Sequence, residues 1–139
     1  MTQLVDDQLL GGILRGARPP RRRQAVFMTG YWYVRLCQAV LSATDRPGVL
    51  SAPFEALPAD RRAAVLETIL ELPDDIGLVS LRDLAPIIGN LRRRHNLNIL
   101  GMEALAAAVY LQADVYLSAH SPQLEGALAR EGAAVEVVR

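Results

Sequence analysis

A chain of 139 residues, 51% hydrophobic and 22% charged, has the size and balance of one globular domain, which excludes a disordered segment and leaves no composition shift to mark a second unit. Its 15 basic and 15 acidic residues cancel, so no global field draws it to nucleic acid or to a membrane surface, and any such attraction has to be local. The longest apolar run, ALAAAVYL at 104–111, is too short to span a bilayer, and the start MTQLVDD lacks a basic region followed by a long apolar segment. With Cys37 as the lone cysteine there is no disulfide framework. The expectation is a cytoplasmic protein with a structural thiol and no membrane partner.

QLV at 3–5 reads as a strand and DQLLGGILR at 7–15 as a helix weakened by Gly11 and Gly12, each costing about 1 kcal/mol against alanine in a helix interior. GARPPRRRQ is a loop, AVFM at 25–28 a second strand, and YWYVRLCQAVLSA at 31–43 a helix with Trp32, Leu36, Ala39 and Val40 on one stripe. Three prolines and a glycine make 44–58 irregular. ADRRAAVLETILEL then forms an amphipathic helix, with Ala64, Leu66, Ile69 and Leu70 spaced for burial and Arg61, Arg62, Glu67 and Glu71 for water.

IGLVS at 76–80 is a third strand, followed by the helix LRDLAPIIGNLRRRH at 81–95, which Pro86 kinks or restarts. GMEALAAAVYLQ is a nearly all-apolar helix and VYLS at 115–118 a strand buried enough to need no alternation. Ser121-Pro122 opens the last helix as N-cap and first-turn proline, Gly132 closes it, and AVEVV at 134–138 is a final strand. Strands separated by helices imply parallel pairing through right-handed crossovers. The fold class is therefore α/β, residues 1–139 forming a single domain with a helix-covered, mainly parallel sheet of about five strands. In such sheets ligands gather beyond the carboxyl ends of the strands. Asp6 and Asp7, Ser118 to His120, and the start of TGYWYVR lie at such ends.

In order, LVDDQLL, FMTGYWYVRLCQAV, GMEALAAAV and ADVYLSAHS resemble four motifs of the PIN-domain family of metal-dependent nucleases, across nearly the whole chain. The resemblance implies a PIN-like fold with Asp6 in a metal-ligand slot, helped by Asp7. It implies carboxylates that hold Mg²⁺ or Mn²⁺ to activate water at a scissile phosphate. This chain departs from that pattern. The acid expected in the second motif falls at Arg35 or Leu36, and Ala119 and His120 follow the fourth strand where further acids belong. In the third motif Glu103 is the candidate, yet counting back from QAD without a gap puts Gly101 in the slot; two helical residues are about 200° of rotation, so the registers aim Glu103 in opposite directions.

Asp6 and Glu103 are thus the candidate catalytic residues, and Asp6, Asp7 and Glu103 the candidate ligands of a weakly held Mg or Mn. Alternatively Arg35 points at Asp6, a guanidinium stands in place of the metal, and the centre becomes an ion pair whose loss destabilises the fold. For Asp6 and Asp7, helix capping weighs evenly against a site role, and at least one is only a cap. The runs Arg21-Arg22-Arg23 and Arg92-Arg93-Arg94 are candidate RNA contacts or plain solvated surface, and the second also suits a helix's negative end. The aromatics Tyr31 to Tyr33 are read as packing rather than base stacking, and His95 and His120 as solvated surface. The function expected is a PIN-like protein with an eroded nuclease site that binds RNA or a protein partner. The alternatives are an active Mg-dependent endoribonuclease of the bacterial toxin type with an antitoxin-like partner, and a non-catalytic homodimeric regulatory module.

Overall fold

Short apolar runs become strands where both faces are covered. A computed structural model describing residues 1–42 and 48–138 has five of them in one all-parallel sheet. β1 (Thr2–Val5), β2 (Ala25–Met28), β3 (Ile76–Leu78), β4 (Asp114–Leu117) and β5 (Val135–Val137) lie in the order β3-β2-β1-β4-β5. In register, Leu4 of the central strand stands beside Phe27 on one side and Val115 on the other. Leu4 and Val5 are wholly buried, as a run without alternation requires.

The helices are α1 (Asp7–Leu14), α2 (Gly30–Leu41), α3 (Ala52–Glu55), α4 (Ala59–Leu70), α5 (Leu81–Leu91), α6 (Ile99–Leu111) and α7 (Pro122–Arg130). Packing groups α1 with α2 and α4, and α6 with α5 and α7. Right-handed crossovers set these groups on opposite faces of the sheet. The Tyr33 hydroxyl donates to the Ile69 carbonyl and ties α2 to α4. Helix α6 is buried continuously from Met102 to Ala108, in keeping with its nearly all-apolar sequence. At Gly77 a Cβ would stand 2.4 Å from a ring carbon of Phe27, too close for any side chain, so the glycine lets β3 lie beside that aromatic.

The element order matches the sequence reading, with four differences. A short helix, α3, stands within 44–58, where Pro53 sits in the first turn and buried Phe54 anchors it against Gly11 of α1. Helix α5 continues through Pro86 instead of restarting, and ends at Leu91, short of 95. On α4 Ile69 is buried and Leu66 half-buried as expected, but Val65 rather than Ala64 joins the core, and Ala64 is exposed and Leu70 64% exposed. His95 is buried, not solvated. The expected helix end at 43 and residues 44–47 of the irregular stretch lie outside the described residues. Among the described residues no helix is long and apolar enough to cross a membrane.

Candidate functional site

The connections from β1 and β4, which are neighbours in the sheet, leave in opposite directions, and such a switch opens a crevice at the strands' carboxyl ends. A cleft of about 400 Å³ lies there, lined among others by Asp6, Asp7, Arg35, Asn98, Ser118 and His120.

Asp6 is where the chain turns from β1 into α1. Its backbone is extended, with φ −80° and ψ 178°, and its Oδ1 accepts from the Leu9 N–H at 3.0 Å, the geometry of an N-cap. Its Oδ2 accepts from the Ser118 N–H at 2.7 Å and from the Ser118 hydroxyl at 2.6 Å. Both carboxylate oxygens are therefore occupied within the protein. Asp7, in the first helical turn, accepts from the Gln8 N–H at 2.8 Å through Oδ1, while its buried Oδ2 has no hydrogen-bond partner. Burial raises the Asp7 carboxyl above the ordinary range, Arg35 opposes that rise, and Asp6 adds to it.

Arg35 does not meet Asp6. Its Nε lies 3.4 Å from Asp7 Oδ2, close enough for an ion pair but not aligned for a hydrogen bond, and its side chain is 52% exposed. The cause is local: Asp6 is already held by Leu9 and Ser118, and its neighbour Asp7 is the carboxylate left facing α2. Arg35 is half in water while Asp7 is buried, so the desolvation cost of the pair falls on the carboxylate.

Glu103 is fully buried, and its Oε1 accepts from the Tyr31 N–H at 2.8 Å in the first turn of α2. A carboxylate suits that positive helix end. Its Oε2 has no partner and lies 3.3 Å from where a Gly30 Cβ would stand. Glu103 does not line the cleft; Gly101, two residues earlier, does. The cleft-facing position of α6 is thus the one that the gap-free count assigned to Gly101.

The donor set does not fit a hard cation. Asp6 has its oxygens engaged, Glu103 is turned toward α2, a guanidinium sits beside Asp7, and among the described residues no three His, Cys, Asp or Glu side chains are grouped as a metal's ligands.

Neither arginine run lines the cleft. Buried Gln3 clamps the first run, its amide donating to the Arg21 carbonyl at 2.5 Å and accepting from the Arg21 N–H at 3.1 Å, and the Arg21 side chain pairs with Glu136 at 3.3 Å. Arg22 and Arg23 are exposed. In the second run Arg92 donates to the Leu97 carbonyl, Arg93 is exposed, and Arg94 holds Glu131 through two bonds of 2.8 Å.

Sequence reasoning missed the partner of His95. Its Nε2 lies 2.5 Å from Glu131 at the end of α7, and Arg94 and His95 together hold that carboxyl down at about 2. Trp32 is buried, as packing predicts, and burial raises the Cys37 thiol, which keeps it in its unreactive form. No protein-family model matches this chain, and no curated protein matches it significantly.

Proposed function

We propose that the protein is a PIN-like domain with an eroded nuclease centre, which binds single-stranded RNA in the switch-point cleft without cutting it. The observation that carries this reading is Arg35 beside Asp7, a cation at the place where the family pattern expects an acid. An acidic cluster repels phosphate until a metal loads it; a carboxylate already paired to a guanidinium does not. The residues that open α1, α6 and α7 also line the cleft, and the positive ends of helices favour an anion. Exposed Gln8, Asn98 and Gln123 offer amides to unpaired base edges.

The test is anisotropy of a labelled single-stranded oligoribonucleotide, with and without a chelator, followed by a cleavage assay in Mn²⁺. The reading expects binding that a chelator leaves unchanged, that weakens steeply as salt rises, and that leaves the strand intact. Calorimetric Mn²⁺ binding that disappears in Asp6→Asn and Glu103→Gln, together with cleavage, would restore the Mg-dependent endoribonuclease of the toxin type. Absence of RNA binding together with a stable dimer would favour the regulatory module.

A further inference from the structure

The cleft does not end at α1. Gln8 and Ser118, which line it, also line a second crevice of about 280 Å³ whose other walls include Gly12, Arg15, Arg18 and Val138. The shape follows from local sequence. Gly16 takes φ +107°, which L side chains rarely adopt, and the chain reverses there, with the Ala17 N–H donating to the Gly12 carbonyl at 2.9 Å. Pro19 and Pro20 stiffen the returning loop, and the clamp from Gln3 fixes it at Arg21. Arg18 is therefore held between two tethers, alongside the helix it has just left.

The cations at this end of α1 differ in what already explains them. The guanidinium of Arg15 lies 4.8 Å over the Phe54 ring, and Arg61 donates to the Arg15 carbonyl at 2.8 Å, a capping role at a negative helix end. Arg18 is exposed and has no ion-pair or hydrogen-bond partner among the described residues. Neither Arg15 nor Arg61 faces a carboxylate in an ion pair among those residues. A molecule with balanced total charge thus carries guanidinium groups with no carboxylate partner among the described residues at this end of α1, whereas in the cleft Arg35 is paired with Asp7 and His120 Nδ1 lies 3.4 Å from Glu125.

We propose that this crevice is a phosphate subsite, in which Arg18 binds the backbone of the same strand whose neighbouring nucleotides occupy the cleft. The inference rests on the RNA-binding reading above. Gln8 and Arg15 are seven residues apart on the helix, about 10 Å, or roughly the rise of three stacked nucleotides, so a ligand that reaches from the cleft into this crevice is an oligonucleotide and not a mononucleotide.

The experiment uses the full chain and a labelled decauridylate, measured by anisotropy over a salt series, with Arg18→Ala, Arg18→Glu and, as a charge control at an exposed arginine that lines neither depression, Arg82→Ala. Arg18 is exposed, so the variants keep the melting temperature of the parent. The subsite requires Arg18→Ala to weaken binding about threefold to tenfold and to reduce the salt slope by about 0.7, with Arg18→Glu weaker still and the control unchanged. Parent-like binding in both Arg18 variants overturns the subsite while the RNA reading stands. An equal loss in the control also overturns it, since the effect is then one of net charge. A parent protein that does not bind decauridylate overturns the reading and the subsite together.

Discussion

Ser118, the residue after β4, gives both its backbone N–H and its hydroxyl to a single oxygen of Asp6, the residue after β1, at 2.7 and 2.6 Å. The two bonds close the sheet's switch point from within, and the other oxygen of Asp6 caps α1. Asp6→Ala removes the cap and leaves the Ser118 N–H without its acceptor, an expected loss of about 3 kcal/mol; Ser118→Ala removes only the hydroxyl bond, about 1–2 kcal/mol. In urea titrations the double variant should cost clearly less than the sum of the two. Strict additivity would mean that the bonds do not act as a unit.

Asp7 should behave in the opposite sense. Burial raises its folded-state pKa, so the folded protein holds the proton more readily than the unfolded chain, and that contribution is present at low pH and lost as pH rises through the raised value. Asp7→Asn keeps an acceptor for the Gln8 N–H and is expected to melt higher than the parent at neutral pH, with the gain fading as pH falls toward 3.8. The same variant leaves Arg35 without its counter-charge and should bind RNA more tightly than the parent. A lower melting temperature at neutral pH would mean that the ion pair outweighs the burial.

Glu131 supplies the conventional acid sensitivity. Its carboxyl is lowered to about 2 by hydrogen bonds from Arg94 first and His95 second, so its contribution is complete above 4.5 and is lost as pH falls from there toward 2. Glu131→Gln should be less stable than the parent at neutral pH and converge with it in acid. Parallel melting curves across that window would remove this carboxylate from the account.

Gly77→Ala places a methyl 2.4 Å from a Phe27 ring carbon and should cost about 1–3 kcal/mol, as overpacking does. Phe27→Leu makes room at that point, so the pair Gly77→Ala and Phe27→Leu should be more stable than the two separate losses imply.

Much of the architecture is legible in local pattern, since each strand is a short apolar run and each helix a period between turn residues. Phase within a helix is harder to read. On α4 the apolar residues crowd the stripe's border, and Val65 rather than Ala64 takes the core position. On α6 apolar residues stand on every side, so no amphipathic phase exists to orient Glu103, and only tertiary packing turns it to Tyr31. The cap at Asp6 is written in its own neighbourhood, whereas the bonds from Ser118 join residues 112 apart and leave no local trace. Whether Arg35 meets Asp6 or Asp7 is illegible for the same reason, because which of two adjacent carboxylates is free depends on that distant serine.

The outer strands of the sheet, β3 and β5, are only three residues long. A visiting strand laid along either one would find only two or three ladder positions, too few to offset the entropy of ordering it. The sheet is therefore poorly suited to growing by strand addition, whether into an aggregate or onto an extended peptide. The exposed apolar side chains lie instead on the helices, at Val34 and Leu41 on α2 and Leu70 on α4.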